Sequence, residues 1–399
     1  MKLLRVTPQT SMDLLADNLW DGKSPQLKSK MVVCIRQGLI SKVIPQSDYV
    51  PSGAQQFHLP HLTLLPALID AHVHLALDGE DFKTALNRWQ DPLAMEELIK
   101  QELETTLEHG IAVIRDGSDR AGWNLRAKNW IKEGYCSGPR IVATGQGIHK
   151  KGYYGSFLGP PIATPVNWSE IVDRLWAAGS DQIKVIVSGL VTFRKWGEVG
   201  PLQFTLEELQ ELVNQAHRRG LKVMAHVNSE AGVRLAVEAG VDTLEHGYFL
   251  SEETLKRMAD KGIFWSPTVA AVANRLFTSK REEYSPEEQD LIRRTYERQL
   301  EQIARAHELG VRLIVGTDAG APGVYHGRSY MDELTYFLKA GLPARAILEA
   351  ATATGAAALG LESELGSIEA GKKPYFIAVG GDPLQDIHVL SQLEMVIYV

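Results

Sequence analysis

Six side chains in this sequence have the types and spacing to act together on a metal ion and a water. His72 and His74 close the run Asp70-Ala-His72-Val-His74. Residues two apart on a strand point the same way, so both imidazoles share a face and form a natural metal clamp. Lys184 lies inside the apolar run DQIKVIVSG, where an ammonium is costly to bury. His226 and His246 each end an apolar run, and Asp318 follows Gly316-Thr317. Taken singly, each has a plain reading: a satisfied polar histidine, a snorkelling lysine, an aspartate in a turn. Together they supply imidazole nitrogen and carboxylate oxygen, the ligand set expected for zinc or a similar divalent cation. A buried neutral Lys184 can take up CO2 as a carbamate and bridge two cations. Asp318 can then bind one cation and serve as general base for a bound water.

These residues need elements that bring them together. Short apolar runs followed by amphipathic stretches recur from about residue 63 to 355. The first strand is read at 63–69 (TLLPALI), running into DAHVHL. Helices are expected at 93–109, 122–134, 168–178, 205–219, 229–239, 251–261, 286–309, 330–340 and 343–353. Strands are expected at 110–114, 139–144, 181–187, 221–226, 241–246, 262–267 and 311–317. Strands alternating with helices argue for parallel βαβ units, and eight such units fit an α/β fold of the (β/α)8 TIM-type barrel. All six candidate residues fall at or near the C-terminal ends of these strands, where barrel enzymes build their sites.

The two ends read differently. Short alternating runs occur at Met31–Ile35, Gly38–Val43 and Gln56–Leu59, and again at Gly366–Ile368, Tyr375–Val379 and Met395–Val399. Neither end has enough strands to bury a core alone. The expected division is a composite β-sandwich domain of residues 1–62 plus 366–399, and a barrel domain of residues 63–365.

Composition narrows the function. The 399 residues are 44% hydrophobic and 23% charged, which is ordinary for a globular protein. The net charge of −7 is the wrong sign for a nucleic-acid binder. No apolar run is long enough to span a membrane, and the first 22 residues contain none of signal-peptide length. Only two cysteines occur, Cys34 and Cys136, so a reducing cytoplasm is expected.

The chain resembles the amidohydrolase superfamily of metal-dependent hydrolases, in its imidazolonepropionase-like and Xaa-Pro dipeptidase-like branch. The resemblance runs through Pro66–His74, Gly110–Gly117 (GIAVIRDG), Gly138–Ile141, Asp181–Lys184, Ala225-His226, Gly240–Gly247 (GVDTLEHG) and Gly316–Asp318. It continues through Ala350–Gly355, Leu359–Leu361 and Gly366–Lys372, and the head Ala16–Gly22 matches too. It implies a binuclear site for two divalent metal ions, Zn2+ first, with Mn2+ or Co2+ as alternatives. His72, His74 and Asp318 would hold one ion, His226 and His246 the other, and Lys184, as N6-carboxylysine, would bridge them. The implied reaction is hydrolysis of a C–N bond (amide, cyclic amide, carbamate or peptide-like) in a small molecule. A metal-activated hydroxide would attack, with Asp318 as general base.

Departures from the pattern bear on the substrate. Dipeptidase relatives often carry Gly-Gly-His-Gly after strand three, whereas here the stretch reads Gly147-Ile-His-Lys-Lys-Gly-Tyr153-Tyr154-Gly155. Asn228 stands two residues after His226, where many relatives have His or Tyr. Candidate substrate-binding residues are His149, Tyr153, Tyr154, Tyr248 and His326. Arg115 and Asp116 read as a structural ion pair. Rival readings are a mononuclear deaminase or imidazolonepropionase-type hydrolase on the same fold, and a non-catalytic scaffold homologue. A small-molecule substrate, no nucleic acid and no membrane are the expected partners, and the resemblance leaves a homo-oligomer open.

Overall fold

The computed structural model describes residues 1–162 and 166–399. The middle of the chain alternates strands and helices, and its strands pair in parallel. Strands Leu68–Val73, Ile111–Asp116 and Arg140–Ala143 form one sheet. Strands Gln182–Ile186, Lys222–Val227, Thr243–His246, Phe264–Ser266 and Arg312–Leu313 form a second. The regular pairing is therefore two sheets rather than one closed ring of eight strands. Two narrow seams connect them. On one side the Ala71 N–H donates to Val315 O at 2.9 Å, and Val73 bridges Ala319. On the other, the Ile148 N–H donates to Lys184 O at 2.9 Å, and Ile148 bridges Val185.

Local chemistry explains the outer helices. Pro92–Glu108 starts on Asp91, whose carboxylate accepts from the N–H groups of Leu93 and Ala94, with Pro92 in the first turn. Leu206–His217 and Pro286–Glu308 both begin with capping boxes, Thr205 with Glu208 and Ser285 with Glu288. Pro286–Glu308 turns Ile292, Tyr296 and Ile303 inward, as helical spacing requires. The expected helix at 343–353 is broken at Thr352 into Ala344–Ala351 and Ala353–Leu359. Two short helices, Phe82–Arg88 and Ala270–Phe277, went unread in the sequence.

The ends of the chain pair with each other. Seven strands lie in the order Lys2–Arg5, Leu393–Tyr398, Phe376–Gly380, Gln55–Pro66, Met12–Leu19, Lys28–Arg36 and Leu39–Pro45. They are hydrogen-bonded as one continuous sheet, not as the two stacked sheets of the expected sandwich. Leu14, Val33, Ile35, Leu64, Phe376 and Ile397 are buried in its apolar core.

Two expectations need correction. Residues 63–66 do not open the first barrel strand. They pair antiparallel with Phe376–Val379, and the strand that carries the histidines starts at Leu68. Gly366–Ile368 is not a strand; Ile368 is held by one bond from its N–H to Asp21 O, 2.9 Å long.

Candidate active site

The carboxyl ends of the parallel strands converge on one buried cluster. His72 is fully buried and His74 nearly so. The Nε2 atoms of both lie 3.4 Å from the same Asp318 oxygen, Oδ1. One nitrogen or oxygen from each of His72, His74 and Asp318 falls within 4.8 Å of the others. Lys184, also buried, places its Nζ 3.3 Å from His72 Nε2. The His246 ring centre is 5.0 Å from that of His72 and 4.5 Å from that of His226. All six predicted residues therefore meet in one place.

Backbone geometry turns these side chains inward. His246 and Asp318 both have left-handed backbones, with φ of 68° and 62°. Such a conformation costs a non-glycine residue of order 1–3 kcal/mol and tends to persist at functional sites. Two glycines make room. A Cβ on Gly117 would sit 2.9 Å from His74 Cε1, and one on Gly316 would sit 2.9 Å from His72 Cβ.

An outer layer fixes ring orientation. His72 Nδ1 bonds Glu245 Oε2 at 2.9 Å, and His74 Nδ1 bonds Ser118 O at 3.1 Å. His246 Nδ1 meets Thr268 Oγ1 at 2.7 Å. In each case one ring nitrogen is occupied from outside, which aims the other at the cluster. Arg115 lies beneath. It donates to Glu245 Oε1 at 2.7 Å, and also to Thr243, Gln182 and the Ala71 carbonyl. The expected Arg115–Asp116 pair is thus replaced by Arg115–Glu245. Asp116 instead accepts from the N–H groups of Leu75 and Ser118. Adjacent strand residues point to opposite sides, so neighbours in sequence could not pair there.

The electrostatics suit a cation. Burial and the Lys184 charge hold His72 well below the usual imidazole range. Burial does the same at His246, and takes His226 down to about 3. These rings are neutral lone-pair donors. Burial lowers the Lys184 amine to about 8, so the neutral form is accessible near neutral pH. At Asp318 burial pushes the carboxyl up, but His72, His74 and Lys184 outweigh it, and it stays ionised. Neutral imidazoles with one nitrogen free, beside an ionised carboxylate and no competing acid-base pair at Lys184 among the described residues, fit a divalent metal ion.

A cavity of about 500 Å3 opens above the cluster. His74, Lys184, His226, His246 and Asp318 form its floor, and Tyr154 and Tyr248 stand on its wall. The other proposed substrate residues do not reach it. His149 Nε2 is spent on Gly159 O at 2.9 Å, and His326 Nε2 on Leu77 O at 3.0 Å. Tyr153 is exposed and turned away from the lining. The wall also holds residues that sequence reasoning passed over: Phe82, Phe157, Phe193 and Arg275. Arg275 had a signal, as the one charge inside the otherwise mostly apolar run Ala270–Phe277.

A sequence profile of the Amidohydrolase family matches residues 63–399, and the chain belongs to that family. It is an enzyme, a hydrolase of the amidohydrolase type. Ochratoxinase from Aspergillus niger is 26% identical, over 97% of this chain and 84% of that protein. Imidazolonepropionase from Alkaliphilus metalliredigens is 24% identical, over 92% of this chain and 86% of that protein. A solved Xaa-Pro dipeptidase with methionine bound in its active site superposes with a TM-score of 0.84 at 29% identity, covering 98% of both chains. No helix among the described residues is long and apolar enough to cross a membrane.

Proposed function

We propose that the protein hydrolyses a C–N bond (amide, cyclic amide, carbamate or peptide-like) in a small molecule, with two divalent metal ions at the cavity floor. The observation that carries this reading is the meeting of His72, His74, Lys184, His226, His246 and Asp318, drawn from several different strand ends, in one cluster at the cavity floor. His72, His74 and Asp318 would hold one ion, and His226 and His246 the other. Lys184 would join them after its neutral amine adds CO2, releasing a proton and leaving a carbamate. Zn2+ suits the donors best, with Mn2+ or Co2+ as alternatives. When bound, the ions supply Lewis acidity, lowering the pKa of water and polarising a carbonyl oxygen.

The protein's own groups do the rest. Asp318 takes the proton of the attacking water and passes it to the leaving nitrogen. Glu245, braced by Arg115, keeps His72 in one tautomer. Tyr154 and Tyr248 stay protonated, because burial pushes both hydroxyls well up, so they can donate to a substrate oxygen. The aromatic wall excludes bulk water. The neighbours named for amide-type substrates support the reaction class.

The two parallel sheets and their seams together read as a (β/α)8 barrel. The seven-stranded terminal sheet reads as a second domain, with the first border at Pro66–Ala67 and the second at 365–366. Free thiols at Cys34 and Cys136 support a reducing, cytoplasmic setting. The compact triple of His72, His74 and Asp318 also favours a second reading, a one-ion hydrolase or deaminase with Lys184 unmodified. Metal analysis of purified protein separates the two. Two ions per chain, with chelation abolishing amide hydrolysis and Zn2+ restoring it, supports the first; one ion per chain supports the second.

A further inference from the structure

We infer that Arg275 anchors a carboxylate on the substrate, and that the substrate body beyond that carboxylate and the scissile bond is mainly apolar. This rests on the hydrolase reading above and names what that cavity takes. Lys184 and Asp318 are charged but belong to the floor, so Arg275 is the one charged residue of the wall among the described lining residues. Its Nε donates to Ala271 O, one turn back in its own helix, at 2.9 Å, and its Nη1 donates to the Tyr284 hydroxyl. Those two bonds fix the guanidinium plane. Nη2 has no partner, and no carboxylate pairs with this arginine, among the described residues. The Phe193 and Tyr284 rings lie 5.6 and 5.8 Å from the guanidinium carbon and set its position further.

A half-buried cation held this way among aromatic rings keeps one nitrogen of its fork unpaired and has no counter-ion among the described residues. A planar carboxylate restores what is missing, because the guanidinium fork matches it and charge-assisted bonds are the strong ones. Most of the remaining wall is apolar, with Leu190, Val191, Phe157 and Phe82 beside Phe193, and its polar groups are Tyr154, Ser156, Asn228 and Tyr248. A space of about 500 Å3 lies within the range of small-molecule sites and suits one acid with a ring-sized apolar body.

The test uses metal-loaded protein and two matched probes, 3-phenylpropanoate and 3-phenylpropanamide, titrated by calorimetry. Wild type should bind the acid more tightly than the amide. Arg275→Met should weaken the acid roughly 10- to 100-fold and leave the amide within about twofold. The amide thus reports that the cavity is still folded. Arg275→Lys should fall between, because it keeps the charge and loses the fork. A preference for the acid that survives Arg275→Met unchanged overturns the inference, since the carboxylate would then be held elsewhere. A kinetic arm compares N-acetylphenylalanine with N-acetylphenylalaninamide, where Arg275→Met should raise KM for the acid alone. If wild type cleaves neither compound but its preference for the acid still depends on Arg275, an acyclic N-acyl amide is not the bond it cleaves and the anion anchor stands.

Discussion

The cavity floor and the core of the terminal sheet are both buried, but they are built from opposite materials. The floor and the layer beneath it pack His72, Lys184, Arg115, Glu245 and Asp70 out of solvent, with left-handed backbone at His246 and Asp318. Asp70 is pushed up to about 7 by that burial, even though Thr317 donates to it twice. The terminal core packs Leu14, Val33, Leu64 and Ile397, and its one buried acid, Asp13, is tied to Arg36 at 2.6 Å. Burying charge costs free energy, whereas burying alkyl groups is the main source of stability. The contrast assigns reactivity to the first region and stability to the second, and mutations should separate the two.

The largest effect is expected at Asp318. Asp318→Asn should cut kcat by about 10^3 or more, because it removes a ligand and the proton acceptor together. Its melting temperature should stay near that of wild type; a large drop would mean that the floor also carries stability. Lys184→Ala comes next. Measured metal content should fall toward one ion per chain and activity by about 10^2, with partial recovery on adding a short carboxylic acid. Unchanged metal content would break the bridging role.

In the terminal core the sign of the contrast reverses. Leu14→Ala should cost about 2–5 kcal/mol in denaturant unfolding and leave kcat/KM of the folded fraction unchanged. A matching loss of turnover would show that the sheet supports the site.

The smallest effect belongs to Glu364. Arg140, at 2.8 Å, lowers its carboxyl to about 2, and Lys373, at 2.6 Å, adds to this against the opposing effect of burial. The folded value lies below the unfolded one, near 4.3. The contribution is therefore present above about pH 4.3 and is lost as pH falls toward 2. The group is about a third exposed, so solvent screening limits the effect to about 0.5 kcal/mol. Glu364→Gln should flatten that part of the stability–pH curve.

Much of the floor was legible in the sequence. A strand has a period of two and ends at a predictable point, so His72, His74, His226, His246 and Asp318 could be placed at one mouth from apolar runs and turn residues alone. Lys184 was legible because an amine in an apolar run demands a reason. The wall was not legible. Its residues come from loops and from the unread helices Phe82–Arg88 and Ala270–Phe277, where no short period fixes direction. The loop tyrosines 153 and 154 are neighbours in sequence, yet only Tyr154 lines the cavity.

The amino-acid order by itself determined the alternation of strands and helices, the donors at the strand ends, and the affinity of the two termini for each other. These follow from local periodicity and from groups too polar to bury without purpose. Only the tertiary structure decided that Arg115 braces Glu245, that Pro66–Ala67 divides the sheets, and that Arg275 reaches the cavity. Each depends on which distant segments share a space, and that is set by packing across the whole chain rather than by the pattern along it.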